Sequence, residues 1–205
     1  MYYLTRIVVE ETMNDNSVFT LGGNKGYVSQ WPVNPDGEKL LHLFSIDCEK
    51  LSSRIPQGIL PISGYLSVFS TYSSDEYFLD NITYFGDSQE LELIKSGFTV
   101  VSYSLTSDTL EDNDKFIPER SVNFLDMEMD DNDYPMISLF SEKIPNGLDD
   151  IGDIENDYHF VCQIYSADFP EPFQDALGLS DAIGYLFIRK KEENEIDGLF
   201  FVQTA

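Results

Sequence analysis

Positive charge is scarce in this sequence: 12 Lys and Arg stand against 37 Asp and Glu among 205 residues, a formal charge of −25. The pI is near 4.1. A chain this acidic repels phosphate, which excludes nucleic-acid binding through an electrostatic footprint and disfavours anionic membrane surfaces. Long apolar runs are also missing. No stretch approaches the roughly 18 residues that a membrane span requires. The opening Met1–Glu10 has no basic region ahead of its short apolar run, so it reads as a first strand rather than a signal peptide, and the expected compartment is the cytoplasm.

Cysteine and histidine are nearly absent. Cys48 and Cys162 are too few for a disulfide framework and lack metal-ligand spacing, so they read as two partly buried free thiols, with a single long-range disulfide as the alternative. His42 and His159 lie four and five positions ahead of Ile46 and Ile164, which points them to opposite strand faces. With no third His and no Cys-x-x-Cys, the expectation is no zinc site, and no cofactor is implied. No Gly-x-Ser-x-Gly elbow surrounds Ser45 or Ser63, and Gly22-Gly23-Asn24-Lys25-Gly26 lacks the spacing of a phosphate loop.

What the sequence does have is 42% hydrophobic and 14% aromatic content, enough to fill one core. A chain of this length buries about 70% of its unfolded surface, and a single domain over 1–205 is expected. Strand-like runs occur at Tyr2–Val9, Leu40–Asp47, Gly64–Tyr72, Tyr77–Phe85, Phe98–Leu105, Met136–Phe140, Tyr158–Tyr165, Tyr185–Arg189 and Leu199–Gln203. Helical patterns are short: Asp87–Ser96 with a Gly97 stop, Phe169–Leu177 with prolines in its first turn, and one or two turns at Cys48–Arg54.

An internal repeat organises these elements. Gly58-Ile-Leu-Pro-Ile-Ser-Gly64-Tyr65-Leu66 aligns with Gly178-Leu-Ser-Asp-Ala-Ile-Gly184-Tyr185-Leu186. Strands ending at Ile46 and Ile164 precede the copies at nearly equal distance, differing by a two-residue indel, and each copy is expected to continue as a hairpin, 64–85 and 184–203, with polar tips at 73–76 and 190–194. The fold class expected is α+β and β-dominated: mixed or antiparallel sheets from two pseudo-symmetric halves with a few short helices. Half one covers about 19–85 and half two about 158–203, with an acidic segment at about 108–157 between them.

Leu21-Gly22-Gly23, Trp31-Pro32, the strand Leu40–Asp47, Pro56-Gln-Gly58-Ile-Leu60 and Gly64-Tyr-Leu-Ser-Val-Phe69 follow the motif order of the bacterial YwqG-like family, which this chain resembles. Val161-Cys-Gln163-Ile164 and Gly184-Tyr-Leu-Phe-Ile188 are similar to that family's second half. Ser45 stands where the family carries Gln, and Asn24-Lys25-Gly26 lacks the Pro that follows Gly-Gly. The resemblance implies an internally duplicated, β-rich domain with no established catalysis. It also implies an immunity or interaction role, since members are often encoded beside bacterial toxin systems.

The acidic segment holds 16 of the 37 carboxylates and only Lys115, Arg120 and Lys143 as bases. Asp108, Glu111, Asp112 and Asp114 form one cluster, and Asp126, Glu128, Asp130, Asp131 and Asp133 a second; Asp149, Asp150, Asp153, Glu155 and Asp157 form a third. No cluster has the glycine and glutamate positions of an EF-hand. Asp126-Met-Glu128-Met-Asp130 alternates as a strand, with carboxylates on one face and methionines on the other. Three readings stand at this level: ion chelation, a partner-facing patch, or a solvated face.

The expected function is a non-enzymatic protein-binding module, a bacterial immunity protein whose first two acidic clusters meet a basic toxin domain. The alternative is a small-molecule or metal-ion-binding domain, with an enzyme among the possibilities. Its site would lie between the halves, near Gln163, Tyr65, Tyr185 and Trp31. An acidic nucleic-acid mimic shares the charge argument. Trp31-Pro32 reads most simply as a packed aromatic, or else as a partner-binding hot spot.

Overall fold

The structure is a computed structural model and describes residues 1–11, 18–55, 58–190 and 197–204. Twelve strands are seen among them: β1 (Tyr2–Val9), β2 (Phe19–Leu21), β3 (Lys25–Gly26), β4 (Leu41–Asp47), β5 (Tyr65–Ser70), β6 (Thr99–Ser104), β7 (Leu110–Glu111), β8 (Arg120–Met129), β9 (Leu139–Ser141), β10 (Tyr158–Tyr165), β11 (Ala182–Arg189) and β12 (Gly198–Thr204). Three short helices join them: α1 (Cys48–Leu51), α2 (Ser88–Leu93) and α3 (Ile154–Asp157). Asp47 caps α1 by accepting from Lys50 N, and Asp87 caps α2 by accepting from Gln89 N at 2.7 Å. A π-turn at Ile94–Phe98 then ends α2 at Gly97, whose φ of +110° only glycine adopts easily.

Ten strands form one sheet in the order β12-β11-β10-β9-β1-β8-β2-β4-β5-β6, every ladder antiparallel. The sheet curls until its ends meet, where Thr99 Oγ1 donates to Phe200 O at 2.6 Å. Its inner face encloses the main core, with Phe19 stacked on Phe44 and Phe44 edge-on to Phe200. A second apolar cluster lies on the outer face of β10–β12, covered by α2, α3 and the 137–151 segment.

The order is symmetric about its centre. β1, β2, β4, β5 and β6 correspond to β8, β9, β10, β11 and β12, and each set carries a bulge at the same place, between His42 and Phe44 and between Phe160 and Cys162. Matching the bulges makes every residue of β4 and β5 correspond to the residue 118 positions later: His42 to Phe160, Leu66 to Gly184 and Phe69 to Phe187. The Gly-Tyr-Leu alignment is therefore two residues out of register. Gly64 corresponds to Ala182, and the expected indel disappears, because Ile46 to Gly64 and Ile164 to Ala182 both span eighteen positions.

The two glycines also do different work. Gly64 turns the chain at φ +86°, whereas Gly184 is a buried strand residue whose Cβ would meet Phe200 Cζ at 2.3 Å. Val101 corresponds to Phe200 through the outer ladders, so Leu66 and Val101 stand in half one where Gly184 and Phe200 stand in half two. The two pairs carry the same number of side-chain carbons in a different distribution, the kind of exchange a close-packed interior tolerates.

Several local expectations are corrected. The 64–85 hairpin is absent: β5 pairs with β6, and 77–85 forms a 3₁₀ turn at Leu79–Asn81 followed by a segment lying on the edge of β12, with Val202 N donating to Ile82 O and Tyr84 N to Val202 O. The second hairpin is β11–β12, and its expected tip lies, beyond Lys190, outside the described residues. The expected helix at Phe169–Leu177 is a chain of i→i+3 turns, Phe173 to Pro170, Ala176 to Phe173 and Gly178 to Asp175. Pro170 and Pro172 supply no N–H for a longer ladder. The expected strand Met136–Phe140 shortens and shifts to Leu139–Ser141, and Cys48–Arg54 is helical only to Leu51.

Candidate functional site

The nine carboxylates singled out in the sequence do not form one patch. Asp108, Glu111, Asp112 and Asp114 precede β8, a strand about 30 Å long at ~3.3 Å per residue, while Asp126 and Glu128 lie in its second half and Asp130, Asp131 and Asp133 just beyond its end. The first cluster is largely spoken for. Lys39 Nζ lies 2.7 Å from the buried Asp112 and 2.6 Å from Asp114, and Lys25 lies 3.3 Å from Glu111. The Lys39 ammonium holds the Asp114 carboxyl below its ordinary pKa. These pairs pin the 106–119 connection to the segment that covers half one.

The far end of β8 is different. Asp131 alone is ion-paired there, to Lys143 at 2.9 Å and to the Met1 amine at 2.5 Å, which together bring its pKa down to about 2. Thr5 Oγ1 donates to Asp126 at 2.8 Å, and Asp130 and Asp133 close a tight turn on one another's backbone. Asp108, Asp126, Glu128, Asp130 and Asp133 carry no ion pair among the described residues. The alternation expected for 126–130 is present as far as Met129: Met127 and Met129 pack on the outer cluster while Asp126 and Glu128 face the other way. Tyr3, opposite Glu128 in the ladder, is 77% exposed, and Tyr134 beyond the turn is 72% exposed. Beside this end a groove of about 740 Å³ is lined by Tyr3, Thr5, Arg54, Asp126, Phe140 and Lys143. Arg54 stacks over the Phe124 ring at 5.1 Å. No group of three or more metal-ligating side chains is gathered among the described residues.

Gln163, Tyr65, Tyr185 and Trp31 do not converge on a cavity between the halves. Tyr65 and Trp31 lie on the outer face of half one, Tyr65 stacked on Tyr27 at 4.1 Å and Trp31 edge-on to Phe69 with its indole N–H on Leu40 O at 2.9 Å. Gln163 and Tyr185 are ladder partners on the outer face of half two. Gln163 is buried, and its amide nitrogen donates to Pro135 O at 2.6 Å and Ile137 O at 2.8 Å, so both its N–H groups hold the covering chain.

Sequence reasoning missed the counterpart of that arrangement. Ser45 and Ser67 correspond to Gln163 and Tyr185, and with His42 they form a buried relay. Tyr27 N–H donates to Ser67 Oγ at 3.0 Å, Ser67 and Ser45 hydroxyls lie 2.7 Å apart, Ser45 Oγ lies 2.8 Å from His42 Nε2, and His42 Nδ1 lies 3.3 Å from Gly23 O. A carbonyl only accepts, so Nδ1 carries the proton and Nε2 accepts from Ser45; every donor then points one way along the relay. Burial lowers the His42 pKa to about 4, so the ring is neutral at physiological pH. Both halves thus use buried polar side chains to fix a covering segment by its backbone. The sequence signal was a lone Gln, Ser or His inside an apolar strand, which indicates a satisfied backbone anchor as readily as a ligand.

Both cysteines are free and buried, and burial pushes the Cys48 thiol up to about 12. No described helix is long and apolar enough to cross a membrane. The chain matches no protein-family model and no curated protein.

Proposed function

We propose that this chain is a non-enzymatic protein-binding module of the immunity-protein kind, engaging a basic toxin domain through the carboxylates at the far end of β8. The observation that carries this reading is the pairing of unneutralised charge with exposed aromatic surface at the end of β8 and in the turn that follows it. Asp126, Glu128, Asp130 and Asp133 have no ion-pair partner among the described residues, and Tyr3 and Tyr134 stand exposed beside them. Tyrosines flanked by charge are what interface hot spots are made of, and a strongly negative surface steers a cationic partner into encounter. The first cluster, already paired to Lys25 and Lys39, contributes to the long-range field rather than to contact. The resemblance to the YwqG-like family agrees with an interaction role.

Co-purification with a basic partner from the source cell tests the reading. Association should weaken steeply between low and high salt, and the combined D126N/E128Q/D130N/D133N variant should lose it at moderate salt. Partner capture that is indifferent to salt and to those substitutions would overturn it.

A further inference from the structure

Among the described residues, β8 is laddered over most of its length on one side only. β1 matches it from Val122 to Met129, whereas on the other side β2 reaches only Arg120 and Ser121. Glu10 N–H donates to Ser121 O at 2.8 Å, which fixes the phase of the ladder: odd-numbered β8 residues bond toward β1. The N–H and C=O groups of Phe124, Asp126 and Glu128 therefore point to the opposite edge, beyond the end of the β2 ladder, and no described residue takes them up. Among the described residues, this edge without a backbone partner runs along the same residues that carry the unpaired carboxylates.

We infer that this edge receives an extended segment of a basic protein partner as an added antiparallel or parallel strand. The inference rests on the proposed basic partner and specifies how it binds. Asp126 and Glu128 share one face of β8 at a spacing of two, so an added strand sets alternate side chains directly against them. Lys or Arg at those alternate positions meets opposite charge. The intervening residues lie on the face where Leu125 is 55% exposed, which suits apolar side chains. Charge also argues against a second copy of this chain as occupant, because pairing the edge with itself would set carboxylate against carboxylate. Recognition by strand addition draws affinity from main-chain bonds and specificity from alternate side chains.

The test uses the full-length protein and a capped hexapeptide, Lys-Val-Arg-Val-Lys-Val, beside its counterpart with Glu at the charged positions. Hydrogen exchange at the Phe124, Asp126 and Glu128 amides should slow on adding the basic peptide, with the odd-numbered amides unchanged. Glu128→Gln, which keeps the N–H, should weaken binding about threefold. Glu128→Pro removes an N–H outside the β1 ladder and should weaken binding about tenfold further. Salt-sensitive binding without protection of the even amides, and with the two variants equal, overturns strand addition while leaving the acidic-surface reading intact. Failure of the basic peptide to bind also overturns strand addition, leaving the acidic surface to be judged by the salt dependence of co-purification. Equal affinity for the Glu peptide overturns both. A concentration-dependent dimer abolished by Glu128→Pro identifies a second copy as the occupant and overturns the inference. The exchange measurement on the wild-type protein decides the matter even if Glu128→Pro does not fold.

Discussion

Val8 and Asn123 face each other across the β1–β8 ladder at the one position where the two halves of the fold map onto each other. Through the ladders to β9 and β2, Thr5 corresponds to Arg120, and the same offset of 115 carries Val8 onto its own partner, Asn123. The pseudo-twofold axis passes between them. It also shows that the halves exchange their first strands: β1 sits beside β9, and β8 beside β2.

Because of that exchange, neither half completes its sheet alone. Fragments 1–106 and 107–205 should each lack near-UV circular dichroism and should recover a native spectrum when mixed. A fragment 1–106 that is monomeric and cooperatively folded by itself would refute the exchange as a structural requirement.

The compensated pair Gly184–Phe200 makes a sharp mutational test. Gly184→Ala drives a Cβ into the Phe200 ring and should cost about 1–3 kcal/mol by overpacking. Adding Phe200→Leu should return part of that loss, a coupling of about 1 kcal/mol in a double-mutant cycle. At Gly64→Ala no side-chain rescue of that kind exists, since the strain lies in a φ of +86° and the clash at 2.6 Å is with the Ser104 carbonyl. Urea midpoints of the five proteins settle it.

His42 gives the fold a pH dependence with a definite sign. Its folded pKa of about 4 lies below the unfolded value near 6.5, so between those limits the unfolded chain binds the extra proton. Stability is full above pH 6.5, falls as pH drops toward 4, and loses up to about 3 kcal/mol from this group. His42→Asn should flatten that step. Trp31, the single tryptophan, and His42 both contact Phe69 edge-on at 5.2 Å, so Trp31 emission is the natural readout.

The seam between β6 and β12 hangs on Thr99. Thr99→Val removes its bond to Phe200 O and should cost about 1–2 kcal/mol, while Thr99→Ser, which keeps the hydroxyl, should cost less than half as much. A Val variant as stable as wild type would show that apolar contact alone closes the seam.

Cys48 and Cys162 should resist a thiol reagent in the native state and react at the rate of unfolding, since burial raises both thiols and keeps them protonated. Labelling faster than global unfolding, followed by stopped-flow absorbance, would reveal a local opening that exposes them.

The β-dominated, duplicated plan was legible because β4, β5, β10 and β11 are apolar runs of six to eight residues between turn signals, a length that favours strand over helix. The register of the repeat was not, because Gly-Tyr-Leu is an identity of residues and not of environments. The first half of β8 was missed for a related reason: it faces the core through Val122 and Phe124 alone and shows charge or amide elsewhere, a weak period-2 signal. The division of the acidic segment into a paired cluster and an unpaired one depended on where Lys25, Lys39 and Lys143 arrive from distant sequence, which no local pattern encodes. Gln163 looked like a ligand group because a buried amide is costly unless satisfied, and its satisfying carbonyls come from a loop.

The strand exchange has a kinetic consequence. The β1–β8 pairs that weld the halves join residues more than a hundred positions apart, so the search for β1 by β8 should be the slow event of folding, in the millisecond-to-second range typical of non-local sheets. While β8 waits unpaired, its carboxylates oppose collapse onto other nascent strands, the gatekeeping role that charge plays beside aggregation-prone segments. The carboxylates at the far end of β8 would therefore guard the chain during assembly.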